Sequence, residues 1–273
     1  MHLRDLRFAA ILALLLASGL ALAAATDDDL AWKLCDGTMA ALQGTDAAPL
    51  AAQFSPQASS LLIAQGDAAL HLSGPRLLKM DKWADEPLFT AEAKPKPMMS
   101  VDADEGIAHL IAIVKDGEKN YWLDGMTVRK GDERKWLMLA ILPKTKVSSD
   151  EELDGFKATL APFFKAWQAC DTASVLGVLA HDDVAVRMLG AAGRLQVFVT
   201  PSEVEAALKG VKEAGGVIFS GAELTEGVLS ASVATVTMAC KTAVGTMKPE
   251  SETLLIHLYL DDGHWKIAGL WAQ

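Results

Sequence analysis

The apolar positions of this chain switch between two periods, and the switch happens twice. In the second half, Leu153, Phe156, Leu160, Phe163, Phe164 and Trp167 recur at helical spacing, with Pro162 as a kink or a second helix start. Ser148-Ser149-Asp150-Glu151-Glu152 offers overlapping capping boxes before that run. Thr200-Pro201-Ser202-Glu203 opens a further helix, which Gly215-Gly216 should close. The period then becomes two. Leu254, Ile256, Leu258 and Leu260 alternate with Leu255, His257 and Tyr259, and Asp262-Gly263 turns the chain into a returning strand over 264–271. With β runs at 217–219 and 230–241, the order is helix, short strand or loop, helix, then a long antiparallel meander.

The first half repeats this loosely. A helix is expected from about Leu30 to Leu42, re-forming after Asp46, and a short helix at 76–83. A Pro- and Lys-rich loop is expected at 85–97, and strands at 107–114, 120–129 and 135–142. Pairing Asp46 with Asp171 gives an offset of 125, and pairing Trp136 with Trp265 gives 129. These keep the element order, whereas the match of Ala31–Asp36 to Ala166–Asp171 does not. The expected organisation is residues 1–25 as a signal peptide, 26–142 as a first, divergent domain, 143–149 as a linker and 150–273 as a second domain. The signal peptide rests on Arg4 and Arg7, the apolar run Phe8–Leu16 and small residues at 21–25. The expected location is therefore periplasmic or secreted, with no stable membrane insertion after cleavage.

Composition narrows the partners. There are 25 Lys and Arg against 35 Asp and Glu, for a net charge of −10, and cleavage would remove Arg4, Arg7 and Asp5. Such a balance argues against a general nucleic-acid or anionic-membrane binder. Half the residues are apolar, so disorder is not expected. The cysteines are Cys35, Cys170 and Cys240. In an oxidising compartment a Cys170–Cys240 disulfide is one expectation, and buried free thiols are the other.

The stretches Phe163–Val186, Thr200–Gly210 and Leu258–Gln273 resemble the nuclear transport factor two-like superfamily, which includes ketosteroid isomerase, scytalone dehydratase and SnoaL-like polyketide cyclases. Phe54–Ala58 and Glu133–Leu142 extend the likeness to the first half. The resemblance implies an α+β fold of two tandem cone-shaped domains, each a strongly curved antiparallel sheet wrapped on N-terminal helices. It also implies sheet-to-sheet association, so the tandem copies could form an intrachain pseudo-dimer.

Candidate chemistry is thin. No P-loop, H-E-x-x-H or G-x-S-x-G pattern is present, and no cofactor or metal is expected. His181 and Asp182, followed by Asp183, are either a general base or metal ligand near a pocket mouth, or a solvated loop. His257 and Tyr259 share a strand face. That face either lines a pocket, where they would meet a ligand, or meets the partner domain. Arg187 could clamp a carboxylate or pair with Asp183, while Trp167 and Trp271 could floor an apolar pocket or lie in the core. His109 has no acidic partner at readable spacing and reads as a sheet or interface histidine. The expected function is a binding or accessory module for a small apolar ligand, with a cofactor-free isomerase, dehydratase or hydrolase as the alternative.

Overall fold

The computed structural model describes residues 26–56, 60–65, 67–101, 106–143, 146–147, 150–179, 185–192, 195–198 and 200–272. The expected signal peptide lies outside them. Among the described residues no helix is long and apolar enough to cross a membrane.

The first half opens with α1 (Asp27–Leu42). Thr26 and Asp29 form a reciprocal capping box at its start, satisfying amides that the first turn leaves free. A second, short helix α2 (Ala47–Ala51) follows Asp46. The chain then lays down β1 (Ser60–Gln65), β2 (Ala68–Ser73), the single turn α3 (Gly74–Leu77), β3 (Lys94–Val101), β4 (Ile107–Asp116), β5 (Lys119–Lys130) and β6 (Glu133–Pro143). In the second half come β7 (Lys146–Val147), α4 (Asp150–Gln168), α5 (Thr172–Val178), β8 (Ala185–Leu189), β9 (Leu195–Phe198), α6 (Pro201–Glu213), β10 (Val217–Leu229), β11 (Val233–Val244), β12 (Glu250–Asp261) and β13 (His264–Ala272).

Two mixed sheets result. The first runs β2-β1-β6-β5-β4-β3 and the second β7-β10-β11-β12-β13-β8-β9. Read from β9, the second repeats the first strand for strand and adds β7. Each is antiparallel apart from one parallel pair, β1 with β6 and β8 with β13. The parallel pair arises because the hairpin that follows the first helices docks beside the last strand of its own meander.

The repeat is confirmed with a changed register. Both last hairpins carry a bulge at the same place, where Leu137 and Ala268 are skipped in the pairing. The strand offset is therefore 131 residues, from 137 to 268, and Trp136 corresponds to Ile267 instead of Trp265. Parallel bridges from Phe54 to Trp136 and from Leu179 to Ile267 fix the same match. Asp46 and Asp171 do correspond, each preceding the second helix of its half.

Three local readings change. Residues 94–97, expected as the end of a loop, instead open the edge strand β3 (Lys94–Val101). Pro95 and Pro97 are tolerated because an edge strand has neighbours on one side only. Residues 60–73 form a hairpin that the sequence did not announce. Lys146 and Val147, placed in the linker, pair with β10. Pro162 lies inside α4 without ending it.

Each sheet buries one face under its own helices. The first packs on Leu34, Cys35, Met39 and Leu42 of α1, with Trp83 and Phe89 from the connecting loop. The second packs on Phe163 and Trp167 of α4 and on Val204 and Leu208 of α6. The other faces meet each other. Leu62, Ala64, Ala140 and Leu142 join the second core, while Ile107, Met126, Leu137, Met138, Leu255 and Trp271 form a separate apolar cluster. The central strands are thus buried on both faces, so the stretches Trp136–Leu142 and Leu254–Tyr259 read as nearly unbroken apolar runs.

Candidate functional site

Strand alternation sets the key geometry. On β12, Leu254, Ile256 and Leu258 face the helices of the second half, so Leu255, His257 and Tyr259 face the first sheet. His257 is fully buried there, with Thr235 and Gly269 opposite it on the flanking strands. Neither ring nitrogen meets hydrogen-bond geometry. Burial pushes its pKa down to about 4. The Asp124 carboxylate pulls it back, and His109 and His71 push it further down.

Those neighbours come from the first sheet. Asp124 of β5 is almost wholly buried and lies 2.6 Å from His109 Nε2 of β4. The pair is diagonal across adjacent strands, since Asp124 is opposite Ile111 and His109 is opposite Met126. The reading of His109 as lacking an acidic partner is therefore corrected: the hairpin register supplies one. His71 of β2 stacks on Tyr259 with ring centroids 5.3 Å apart and 29° between planes. Burial raises the Tyr259 pKa, and Asp261 adds to the rise. Next to this cluster, Ser232 Oγ donates to the Ala68 carbonyl at 2.6 Å, a direct bond between the two halves.

The remaining sequence candidates disperse. Trp167 is fully buried at the end of α4, 5.8 Å from the Phe163 ring centroid. Trp271 is buried in the cluster between the sheets, with the Arg187 guanidinium carbon 5.4 Å from its ring centroid. Arg187 also donates from Nη1 to the Ala272 carbonyl at 2.8 Å. His181, Asp182 and Asp183 lie outside the described residues. Cys170 and Cys240 are both free thiols in this structure, the second of the two expectations. Cys170 sits at φ 52° just past α4, and Cys240 is held on β11 opposite Glu252. Burial raises both thiols, Cys240 to about 12, so neither is a ready thiolate.

Two clefts in the second half are open to solvent. One, of about 460 Å³, lies between α4 and α5 and is lined by Pro162, Lys165, Ala166, Ala169, Asp171, Ser174 and Val178. The other, of about 300 Å³, is lined by Gly221, residues 239–241 and residues 251–253. It includes Glu252, whose carboxyl is raised by burial and by Glu250 but lowered by Thr242 and Arg187. Among the described residues no three His, Cys, Asp or Glu side chains are placed to hold a metal ion.

A cluster of acid–base groups is thus gathered between the sheets, and a largely apolar cleft lies between α4 and α5. Sequence reasoning missed Asp124 and His71. Their only sequence signal is the hairpin register for Asp124, and for His71 an unrecognised strand.

Solved structures similar to this chain are nuclear transport factor two-like and ketosteroid isomerase-like proteins. A ketosteroid isomerase-like protein from Erwinia carotovora atroseptica is 22% identical over 45% of this chain and 96% of its own, with a TM-score of 0.36. A nuclear transport factor two-like protein of unknown function from Pseudomonas putida is 14% identical over 46% of this chain and 87% of its own, also at 0.36. A putative calcium/calmodulin-dependent protein kinase type II association domain from Thiobacillus denitrificans is 16% identical over 42% of this chain and 91% of its own, again at 0.36. No family model and no curated protein matches the chain. At these values the likenesses carry over neither activity nor substrate.

Proposed function

We propose that the chain is an exported binding or accessory module, built as an intrachain pseudo-dimer of residues 26–142 and 150–273, that takes a small and largely apolar ligand on its second domain. One observation carries this reading. Of the groups able to move a proton, His257, Tyr259 and Asp124 are buried against the partner sheet, with His109 half-buried beside Asp124, while the cleft between α4 and α5 is lined mainly by Pro162, Ala166, Ala169 and Val178. Apolar walls with a few polar groups favour binding by burial, with Lys165 at the rim able to orient a polar end, while Ser174 is held by the Asp171 cap.

The test is thermal shift against a panel of apolar metabolites, with the exposed Ala169 replaced by Trp as control. A metabolite that stabilises the wild type and not A169W supports the site. A panel that stabilises neither counts against it. Export is checked separately, by N-terminal sequencing of the mature protein, which should begin near Thr26.

A second reading is favoured by Glu252. A carboxyl whose pKa is raised by burial at an open cleft can serve as a general acid or base without a cofactor. In that reading E252Q abolishes turnover of a discovered substrate while A169W leaves it intact.

A further inference from the structure

We propose that the contact between the two sheets is an acid-sensitive lock, in which proton uptake by His257 parts the sheets while each domain keeps its own fold. This does not depend on what the second domain binds.

The geometry is that of a charge-intolerant joint. His257 is fully buried at the centre of the contact. The titratable groups facing it are Asp124 from β5, His109 from β4 and His71 from β2. On its own sheet the opposite residues are Thr235 and Gly269, which carry no charge. Tyr259 lies two residues along β12, and Arg187 lies beside Trp271. The single carboxylate among these, Asp124, is already 2.6 Å from His109. An imidazolium at position 257 would therefore be fully buried, facing two other imidazoles and, among the described residues, one carboxylate already shared with His109.

The sign follows from the direction of the shift. Burial lowers His257 from 6.5 to about 4, so the closed form resists a proton that the parted form accepts. Closure is fully supported above 6.5 and is lost as pH falls toward 4. The opening equilibrium rises about tenfold per pH unit across that window. Parting need not unfold the domains, because Phe163, Trp167 and Leu208 in one and Leu34, Met39 and Leu42 in the other stay under their own helices.

The experiment follows the full mature chain from pH 7.5 to 4.5 by small-angle scattering and far-ultraviolet circular dichroism. The wild type should expand while its circular dichroism is unchanged, and H257L and H257Q should stay compact over the same range. Expansion that coincides with loss of circular dichroism overturns the proposal. So does expansion of either folded variant at the wild-type pH. If neither variant folds, the wild-type comparison decides alone: separate transitions support the lock and coincident ones refute it.

Discussion

Asp124 is approached from two directions, by His109 along its own sheet and by His257 from the facing one. A carboxylate this deeply buried is tolerated only because hydrogen-bonding partners such as His109 replace water. Asp124→Ala should therefore lower stability by about 2–3 kcal/mol, since it removes a buried hydrogen bond to His109. Urea unfolding at pH 7.5 measures this. Asp27 shows the same logic at the far end of the first sheet. Arg134 is completely shielded, donates to Asp27 Oδ1 at 2.6 Å, and also bonds Thr127 and the Gly106 carbonyl. The Arg134 hydrogen bond holds the Asp27 carboxyl below its ordinary value, against a smaller opposing effect of burial. A lowered carboxyl contributes stability that is present above 3.8 and lost as pH falls below it. Asp27→Ala should thus cost about 1–2 kcal/mol at neutral pH. The cost should disappear in strong acid, where wild type and variant unfold alike.

Elements differ in how plainly they announce themselves. Strands β12 and β13 were legible because Asp262-Gly263, which supplies the positive φ of a tight turn, observed at 49° and 77°, separates two apolar runs of strand length. Helix α6 was legible from Thr200 and Glu203 at one end and Gly215-Gly216 at the other. The hairpin β1–β2 was not, because Leu61–Ala64 is a short apolar run buried on both faces, with neither alternation nor a recognised turn signal to mark it. Strand β3 was hidden by its prolines, which tertiary position excuses and local propensity does not. The site was less legible than the fold. His109 and Asp124 meet through hairpin register, and His257 meets Asp124 only through packing of one sheet on another, which no spacing encodes. Gly125 is another such case. A Cβ there would lie 2.1 Å from the Met138 carbonyl oxygen on the neighbouring strand, so only glycine lets β5 and β6 pair at the bulge. Gly125→Ala should cost about 2–3 kcal/mol, seen as a lower Tm. At the edge, replacing Pro95 and Pro97 by Thr should create a pairing-competent strand and concentration-dependent oligomers on size-exclusion chromatography.

At the scale of the whole molecule, duplication and packing combine into an approximate two-fold axis. With an offset of 131 residues, Asp124 corresponds to Leu255 and Met126 to His257. A two-fold contact occurs twice, with roles exchanged. Here one copy is polar, Asp124 facing His257, and its mate is apolar, with Leu255 and Met126 in one cluster. The apolar copy shows what the polar one could be replaced by. Asp124→Leu with His257→Met converts the first contact into a version of the second, in residue types the joint already holds. Each single change should destabilise at pH 7.5, Asp124→Leu more, because it also removes the hydrogen bond to His109. The double variant should lose less than the sum, with a coupling of about 1–2 kcal/mol, as expected for residues in one electrostatic cluster. Its stability should also fall less than that of the wild type between pH 6.5 and 4.5, because the group that resists protonation has gone. Strict additivity of the two changes would mean that Asp124 and His257 do not sense each other, and the two-fold relation would then be one of topology alone.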